Sequence, residues 1–498
     1  MPFALETAAH PEKLKRVAIE PVSRVEGHGK VTLLLDENNK VEQVRLHIVE
    51  FRGFEKFIEG RPYWEVPVMV QRLCGICPVS HHLAASKAMD QIVGATLTPT
   101  AEKIRRLMHY GQMLQSHALH FFHLSSPDLL FGFGSDVATR NIVGVIAAAP
   151  ETARKGVLLR KYGQEVFRMT AGKRVHGTGS IPGGVNKSLS PGEREALKQD
   201  AYQMVAWSRE AVQIIKGLFE KNRAEYNRFG RFTAHGMGLV RADGAMDLYH
   251  GGLRARRADG STLFDHFDYS RYWDVIVEDV KPWSYMKFPF FKSLGSSDAG
   301  WYRVGPLTRV TQCDFIPTPL ADRERQEFLA FDNGSAAGAT LGYHWARMIE
   351  MLHAAECIKD LLNDDAIVGT DLVATGQRQE RGVGVIEAPR GTLIHHYRVD
   401  ENDLVVRANL IVSTTHNNQA MNEAIRVVAR QYLDGKELTE GLLNHIEVAI
   451  RCFDPCLSCA THALGQMPLE VTLADADGQV IDRLTRDMHG ACTRPATP

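Results

Sequence analysis

Two cysteine pairs of identical spacing, Cys74-Gly75-Ile76-Cys77 and Cys456-Leu457-Ser458-Cys459, stand near opposite ends of a 498-residue chain. A two-residue spacer lets both sulfurs of a pair face one centre, and two pairs supply four soft ligands. Such a set closes a tetrahedron around structural zinc or holds iron or nickel. Zinc pairs usually lie about 15 to 20 residues apart and staple a local loop. Cys456 follows Cys77 by 379 positions, so one metal held by all four would tie the two ends of the chain together. A redox disulfide within either pair is a third reading, disfavoured because the βαβ setting of thioredoxin-like motifs is missing. Spacing by itself leaves zinc and a redox metal both open.

The rest of the composition narrows the setting. A chain of this length can bury about 75% of the surface it exposes when unfolded, so its core needs neither disulfides nor a structural metal. Eight cysteines in 498 residues are too few for a disulfide scaffold. With 58 Lys+Arg against 59 Asp+Glu and no basic stripe, the chain lacks the footprint of a nucleic-acid binder or of a protein held on anionic lipid. The longest small-apolar run, 142–149, is far short of the roughly 20 residues that span a bilayer. The first sixteen residues carry Glu6 and no apolar run, which is not the anatomy of a secretory signal. A soluble protein is expected.

Periodicity gives the organisation. Alternating apolar residues at 31–35 and 44–48 flank the turn run Asp36-Glu37-Asn38-Asn39-Lys40 and predict a hairpin. Thr98 as N-cap and Pro99 at the first helical position open a run with Ile104, Leu107, Met108, Gly111, Leu114, Ala118 and Phe121 at three- and four-residue steps. That pattern predicts a central helix of about 28 residues, ~42 Å long. Helices are also predicted over 193–227, 321–363 and 417–452, with an irregular, short-stranded stretch at 228–320. Hairpins are predicted at 392–414 and 469–484. Repeats, low-complexity tracts and linkers are missing, which favours one compact unit. The fold class is α+β and mainly α, a long-helix bundle with small peripheral sheets.

The flanks of the cysteine pairs decide between the metals. Arg72-Leu73-Cys74-Gly75-Ile76-Cys77-Pro78-Val79-Ser80-His81 and Asp454-Pro455-Cys456-Leu457-Ser458-Cys459-Ala460-Thr461-His462 resemble the two signature motifs of nickel-iron hydrogenase large subunits. Arg24-Val25-Glu26-Gly27-His28, Phe51-Arg52-Gly53-Phe54-Glu55 and Glu387-Ala388-Pro389-Arg390-Gly391 extend the resemblance, in the same order, over essentially the whole chain. The runs 47–56 and 391–397 are most similar to the soluble NAD-reducing subgroup.

The resemblance implies a site. Cys74, Cys77, Cys456 and Cys459 would hold nickel and iron, with Cys77 and Cys459 bridging and the iron carrying carbon monoxide and two cyanides. Hydrogen would split heterolytically, Cys456 taking the proton and Glu26 relaying it. Arg390 would hang over the metals, held by Asp454, while Ser413 and Thr414 would contact a cyanide and His117 a bridging sulfur. Glu55, the Leu410 carbonyl and His462 match a magnesium site. Where respiratory relatives carry an Asp before the position of His117, this chain has Ser116. His109, His117, His120 and His123 recur on the long helix; satisfied core histidines are the commoner outcome of such a pattern.

The implied function is that of a hydrogenase catalytic subunit, reversibly cleaving H2 in the cytoplasm. Electrons would pass to an iron-sulfur small subunit, then through a flavin diaphorase partner to NAD. This chain itself would bind none of the iron-sulfur clusters, FMN or NAD, and it shows no Gly-rich dinucleotide motif after a strand. The alternatives are an F420- or NADP-linked hydrogenase and a non-catalytic subunit like the complex I relative, which lacks the cysteine pairs. Metal-insertion chaperones and a nickel-dependent endopeptidase are implied as maturation partners. The implied boundaries are a catalytic domain over 1–462 and an extension over 463–498 removed on maturation. Within the domain the parts are a hairpin region at about 15–60, a helical core at about 64–380, a hairpin at about 385–415 and C-terminal helices over 416–462.

Overall fold

A computed structural model of the chain describes residues 8, 10, 13–51, 53–461, 469–474, 480–486 and 492–493. The N-terminal part is a three-stranded antiparallel sheet of β1 (Lys15–Ile19), β2 (Gly29–Leu35) and β3 (Val41–Ile48). Leu33 pairs with Val44 and Val31 with Leu46, so the predicted alternation becomes the buried face.

The core consists of helices. They are α1 (Pro78–Ile92), α2 (Pro99–Leu119), α3 (Pro150–Ala171) and α4 (Pro191–Lys221). Thr98 caps α2 by accepting the Ala101 N–H at 3.2 Å, as its position predicts. The helical course runs unbroken from Pro99 to Phe131, but it is not α throughout: 21 α-helical residues are followed by a π-helical segment His120–Ser125 before Ser126–Phe131 resumes the α form. A strict 3.6-residue apolar period does not reveal one extra residue per turn. α2 and α3 approach so closely that a Cβ on Gly163 would lie 2.4 Å from the Gly111 carbonyl.

The predicted irregular stretch folds as a sheet of β4 (His235–Val240), β5 (Gly252–Arg256) and β6 (Thr262–Phe267), with Tyr302–Arg303 parallel to β4. These strands fall within the stretch 228–320 expected to be irregular and short-stranded. α5 (Pro306–Gln312) and α6 (Gly342–Asn363) follow, α6 packing against α2 and α4. The second predicted hairpin gains a strand: β7 (Arg381–Ala388), β8 (Gly391–Val399) and β9 (Val405–Ile411) form an antiparallel sheet that packs on α1. At that contact a Cβ on Gly384 would meet the Ala84 carbonyl at 2.0 Å. α7 (Asn418–Tyr432) and α8 (Glu440–Cys452) lead to the second cysteine pair. Leu469–Ala474 pairs with Val480–Arg486, the predicted final hairpin. Among the described residues no helix is long and apolar enough to cross a membrane.

Candidate metal centre

The two cysteine pairs meet. Cys74 and Cys77 sit where a 3-10 turn gives way to α1, Cys77 being its N-cap; Cys456 and Cys459 follow α8. Their four sulfurs lie within 4.8 Å of one another, all buried, and are the one group among the described residues able to hold a metal through three or more His, Cys, Asp or Glu side chains. Sulfur separations are 3.2 Å for Cys74–Cys456, 3.9 Å for Cys77–Cys456, 3.8 Å for Cys77–Cys459 and 2.8 Å for Cys456–Cys459. None is a disulfide.

The backbone N–H groups of Ile76 and Cys77 donate to the Cys74 sulfur at 3.2 and 3.3 Å. Hydrogen bonds from the other three cysteines, with the Arg390 charge, hold Cys74 well below the ordinary thiol range. Burial pushes Cys456 and Cys459 well above it. Thiols bind a soft metal as thiolates, so a cation held by this cluster would displace their protons.

Glu26 reaches the cluster from the loop after β1. Its backbone bridges to Cys456, its carbonyl accepts the Leu457 N–H at 3.0 Å, and Cys456 Sγ lies 3.0 Å from its Oε2. The Ser458 hydroxyl and N–H donate to the same carboxylate. Arg24 anchors this loop, donating to Asp128 at 2.6 Å, while Arg451 holds the Ser23 carbonyl at 3.0 Å. Arg24 and Asp454 both have left-handed backbones, φ 54° and 51°, one in each loop that meets at the sulfurs.

Arg390 projects from the β7–β8 turn into a small cavity that Cys77, Cys456, Ser413 and Thr414 also line. Its Nε donates to the Asp454 carbonyl at 2.5 Å and an Nη to the Asp454 carboxylate at 3.1 Å. Burial alone would lower its pKa, but Asp454 and the cysteine sulfurs outweigh that and keep the guanidinium charged. Ser116 is 3.5 Å from the other Nη. Thr414 Oγ1 accepts the Cys456 N–H at 3.0 Å, and Ser413 donates to the Gly391 carbonyl at 2.8 Å.

His117 differs from the sequence expectation in its main partner. Its Nε2 meets Glu350 at 2.8 Å instead of a sulfur, while Nδ1 is buried with no partner among the described residues. Burial holds His117 down to about 4. Burial would raise Glu350, but Arg309 and His117 outweigh it and hold this carboxyl at about 2. Arg309 also binds Glu387 at 2.7 Å and the Ala388 carbonyl at 3.0 Å, so a fully buried ion network supports the turn that carries Arg390. His120 turns to the Arg451 carbonyl at 2.6 Å; the histidines of the long helix do not form a second metal site.

Glu55, on Phe54–Ile58, accepts the Leu410 N–H at 2.8 Å, and burial lifts its pKa to about 7. A half-buried carboxylate oxygen is the kind of donor a hard cation takes. His462 lies outside the described residues.

Sequence reasoning missed Ser458, Arg309, Glu350 and His81. His81, on α1, lines the cavity and hydrogen-bonds His395 at 3.1 Å. The signal was its place four residues after Cys77, one helical turn from a ligand.

Comparison with known proteins agrees with this geometry. The family model described as nickel-dependent hydrogenase matches residues 52–131 and 248–462, and a HoxL-like model matches 16–51. NAD-reducing hydrogenase HoxS subunit beta of Cupriavidus necator is 48% identical over 488 residues, 95% of this chain and 100% of that protein. One chain of the F420-non-reducing hydrogenase of Methanothermobacter thermautotrophicus is 42% identical over 478 residues, 94% of this chain and 100% of that one. The crystal structure of an NAD+-reducing NiFe-hydrogenase in the H2-reduced state superposes with TM-score 0.89 at 59% identity, over 90% of this chain and 99% of that one. With the cysteine cluster and this fold in place, the chain belongs to the nickel-dependent hydrogenase family and is one of its enzymes.

Proposed function

We propose that this chain is the catalytic subunit of a cytoplasmic, NAD-linked nickel-iron hydrogenase that reversibly cleaves H2 into protons and electrons. The observation that carries the reading is the convergence of four buried cysteine sulfurs from the two ends of the chain. Four soft donors beside a cavity capped by a charged arginine fit a bimetallic centre better than a structural zinc, whose closed tetrahedron needs no neighbouring cavity.

Cys74, Cys77, Cys456 and Cys459 would together hold nickel and iron. When bound, this centre with its carbon monoxide and cyanides supplies the redox-active Lewis acid at which hydrogen is polarised. The protein moves the proton. Cys456 Sγ accepts it and passes it to Glu26 Oε2, 3.0 Å away, while Ser458 steadies the carboxylate. Arg390 donates into the cavity, Asp454 fixes its fork, Ser413 and Thr414 shape the adjoining wall, and His117 offers Nδ1. Glu55, the Leu410 carbonyl and His462 are assigned to magnesium.

Electrons leave to an iron-sulfur small subunit, then to a flavin partner that reduces NAD; the NAD-reducing relatives support this choice of acceptor. Residues 1–462 are assigned to the working domain, and 463–498 to an extension cut off by a nickel-dependent endopeptidase after chaperones insert the metals.

Infrared spectra of the purified complex are expected to show carbon monoxide and cyanide stretches together with stoichiometric nickel. Stoichiometric zinc without those bands overturns the reading.

A further inference from the structure

β8 runs along α1, and strand alternation puts Leu393, His395 and Tyr397 on one face. Leu393 and His81 reach the cavity beside the cysteines. Behind them the polar groups continue in single file: His81 Nδ1 is 3.1 Å from His395 Nε2, and His395 Nδ1 is 2.6 Å from the Tyr397 hydroxyl. All three side chains are buried.

Each link fixes the proton of the next. The Tyr397 hydroxyl makes no other hydrogen bond among the described residues, and a buried hydroxyl left without an acceptor is costly. Burial and the nearby Glu55 charge keep its pKa well above the ordinary phenol value, so the proton stays on oxygen. The hydroxyl therefore donates to His395 Nδ1. A neutral imidazole that accepts at one nitrogen donates at the other, so His395 Nε2 donates to His81 Nδ1 and leaves the His81 proton on Nε2.

We propose that Tyr397 and His395 are positioning residues that lock His81 into its Nε2–H tautomer, so that His81 presents a donor, not a lone pair, to the cavity beside the cysteine sulfurs. This rests on reading the four cysteines as the metal ligands. A donor at that wall favours negative charge on the ligand thiolates, and an acceptor would oppose it. Tyr397 would then act on the metal centre through two intervening rings without touching it.

The test uses the purified complex labelled with 15N-histidine, the His81 signals being assigned by difference from His81→Gln. The wild type is expected to show His81 protonated at Nε2. Tyr397→Phe and His395→Leu are expected to lose that single tautomer and to lower hydrogen-dependent dye reduction by about 10- to 100-fold, the usual cost of losing an outer-shell partner of a metal site. His395→Gln, whose amide N–H can stand in for Nε2–H, is expected to keep the His81 tautomer and to retain more activity than His395→Leu. An unchanged His81 pattern in His395→Leu, or a His395→Gln protein that behaves like His395→Leu, overturns the proposal whether or not Tyr397→Phe folds. Failure of the metal reading shows separately, as zinc and missing carbon monoxide bands in the wild type.

Discussion

Glu26 and Glu55 are two carboxylates within reach of the cysteine cluster or its neighbouring strand, and their surroundings set them different tasks. Glu26 faces the Cys456 sulfur at 3.0 Å with Ser458 donating to its oxygens, an arrangement for taking and releasing a proton. Glu26→Gln keeps the hydrogen-bonding outline and removes the titrating group. It is expected to lower hydrogen-dependent dye reduction by about 10²- to 10⁴-fold, the usual weight of a positioned acid-base group, with nickel content unchanged; undiminished turnover would remove Glu26 from the relay.

Glu55 predicts a pH dependence. Its folded pKa of about 7 lies above that of an unfolded glutamate, about 4.3, so between those values the folded chain binds the extra proton and stability falls as pH rises. With metal chelated, wild type is expected to lose up to about 3 kcal/mol across that window, while Glu55→Gln shows a flatter profile in urea titrations. Added magnesium should restore the wild type at neutral pH and leave Glu55→Gln unmoved.

At the scale of elements, helix contact distances are set by glycines. On α3, Gly163 lies against the Gly111 carbonyl of α2, so Gly163→Ala is expected to separate the two helices and cost about 1–3 kcal/mol, the range for overpacking, read as a lowered unfolding midpoint. The sequence discloses those elements whose pattern is local. The Thr98-Pro99 start of α2, the alternation of β2 and β3 and the turn at 400–403 each depend on neighbours a few positions away. α1 escapes such a reading because it is buried nearly all round, from Pro78 to Asp90, and a helix with no wet face has no amphipathic period to read. The π segment at His120 is hidden for a related reason: His120, Phe121 and Phe122 are all buried, so the apolar run continues through it. The third strand of the β7–β9 sheet is equally silent because Arg381–Ala388 mixes glycines with Val and Ile and alternates no polar face.

At the scale of the molecule, the cysteine motifs and their order point to the centre, while its support comes from residues far apart in sequence. His81 and His395 are 314 positions apart, and His117 and Glu350 are 233 apart; nothing in one segment announces the other. The hydrophobic core runs through both cysteine pairs and on to Ala460, so the scaffold does not depend on metal to close. Cys459→Ser is therefore expected to abolish nickel retention while leaving the circular dichroism spectrum and the unfolding cooperativity of the metal-free chain intact. Collapse of the fold in that variant would instead make the centre a structural staple.

The placement of the two pairs also sets a clock. Cys74 and Cys77 leave the ribosome long before Cys459, 382 residues behind Cys77. At about 5–20 residues per second, that delay is roughly 20–80 s. During it the nascent chain carries only half of a thiolate cage, too few ligands to complete the centre. The second pair completes the set of four, so a metal that needs all four sulfurs can be fully held only after both pairs have been made.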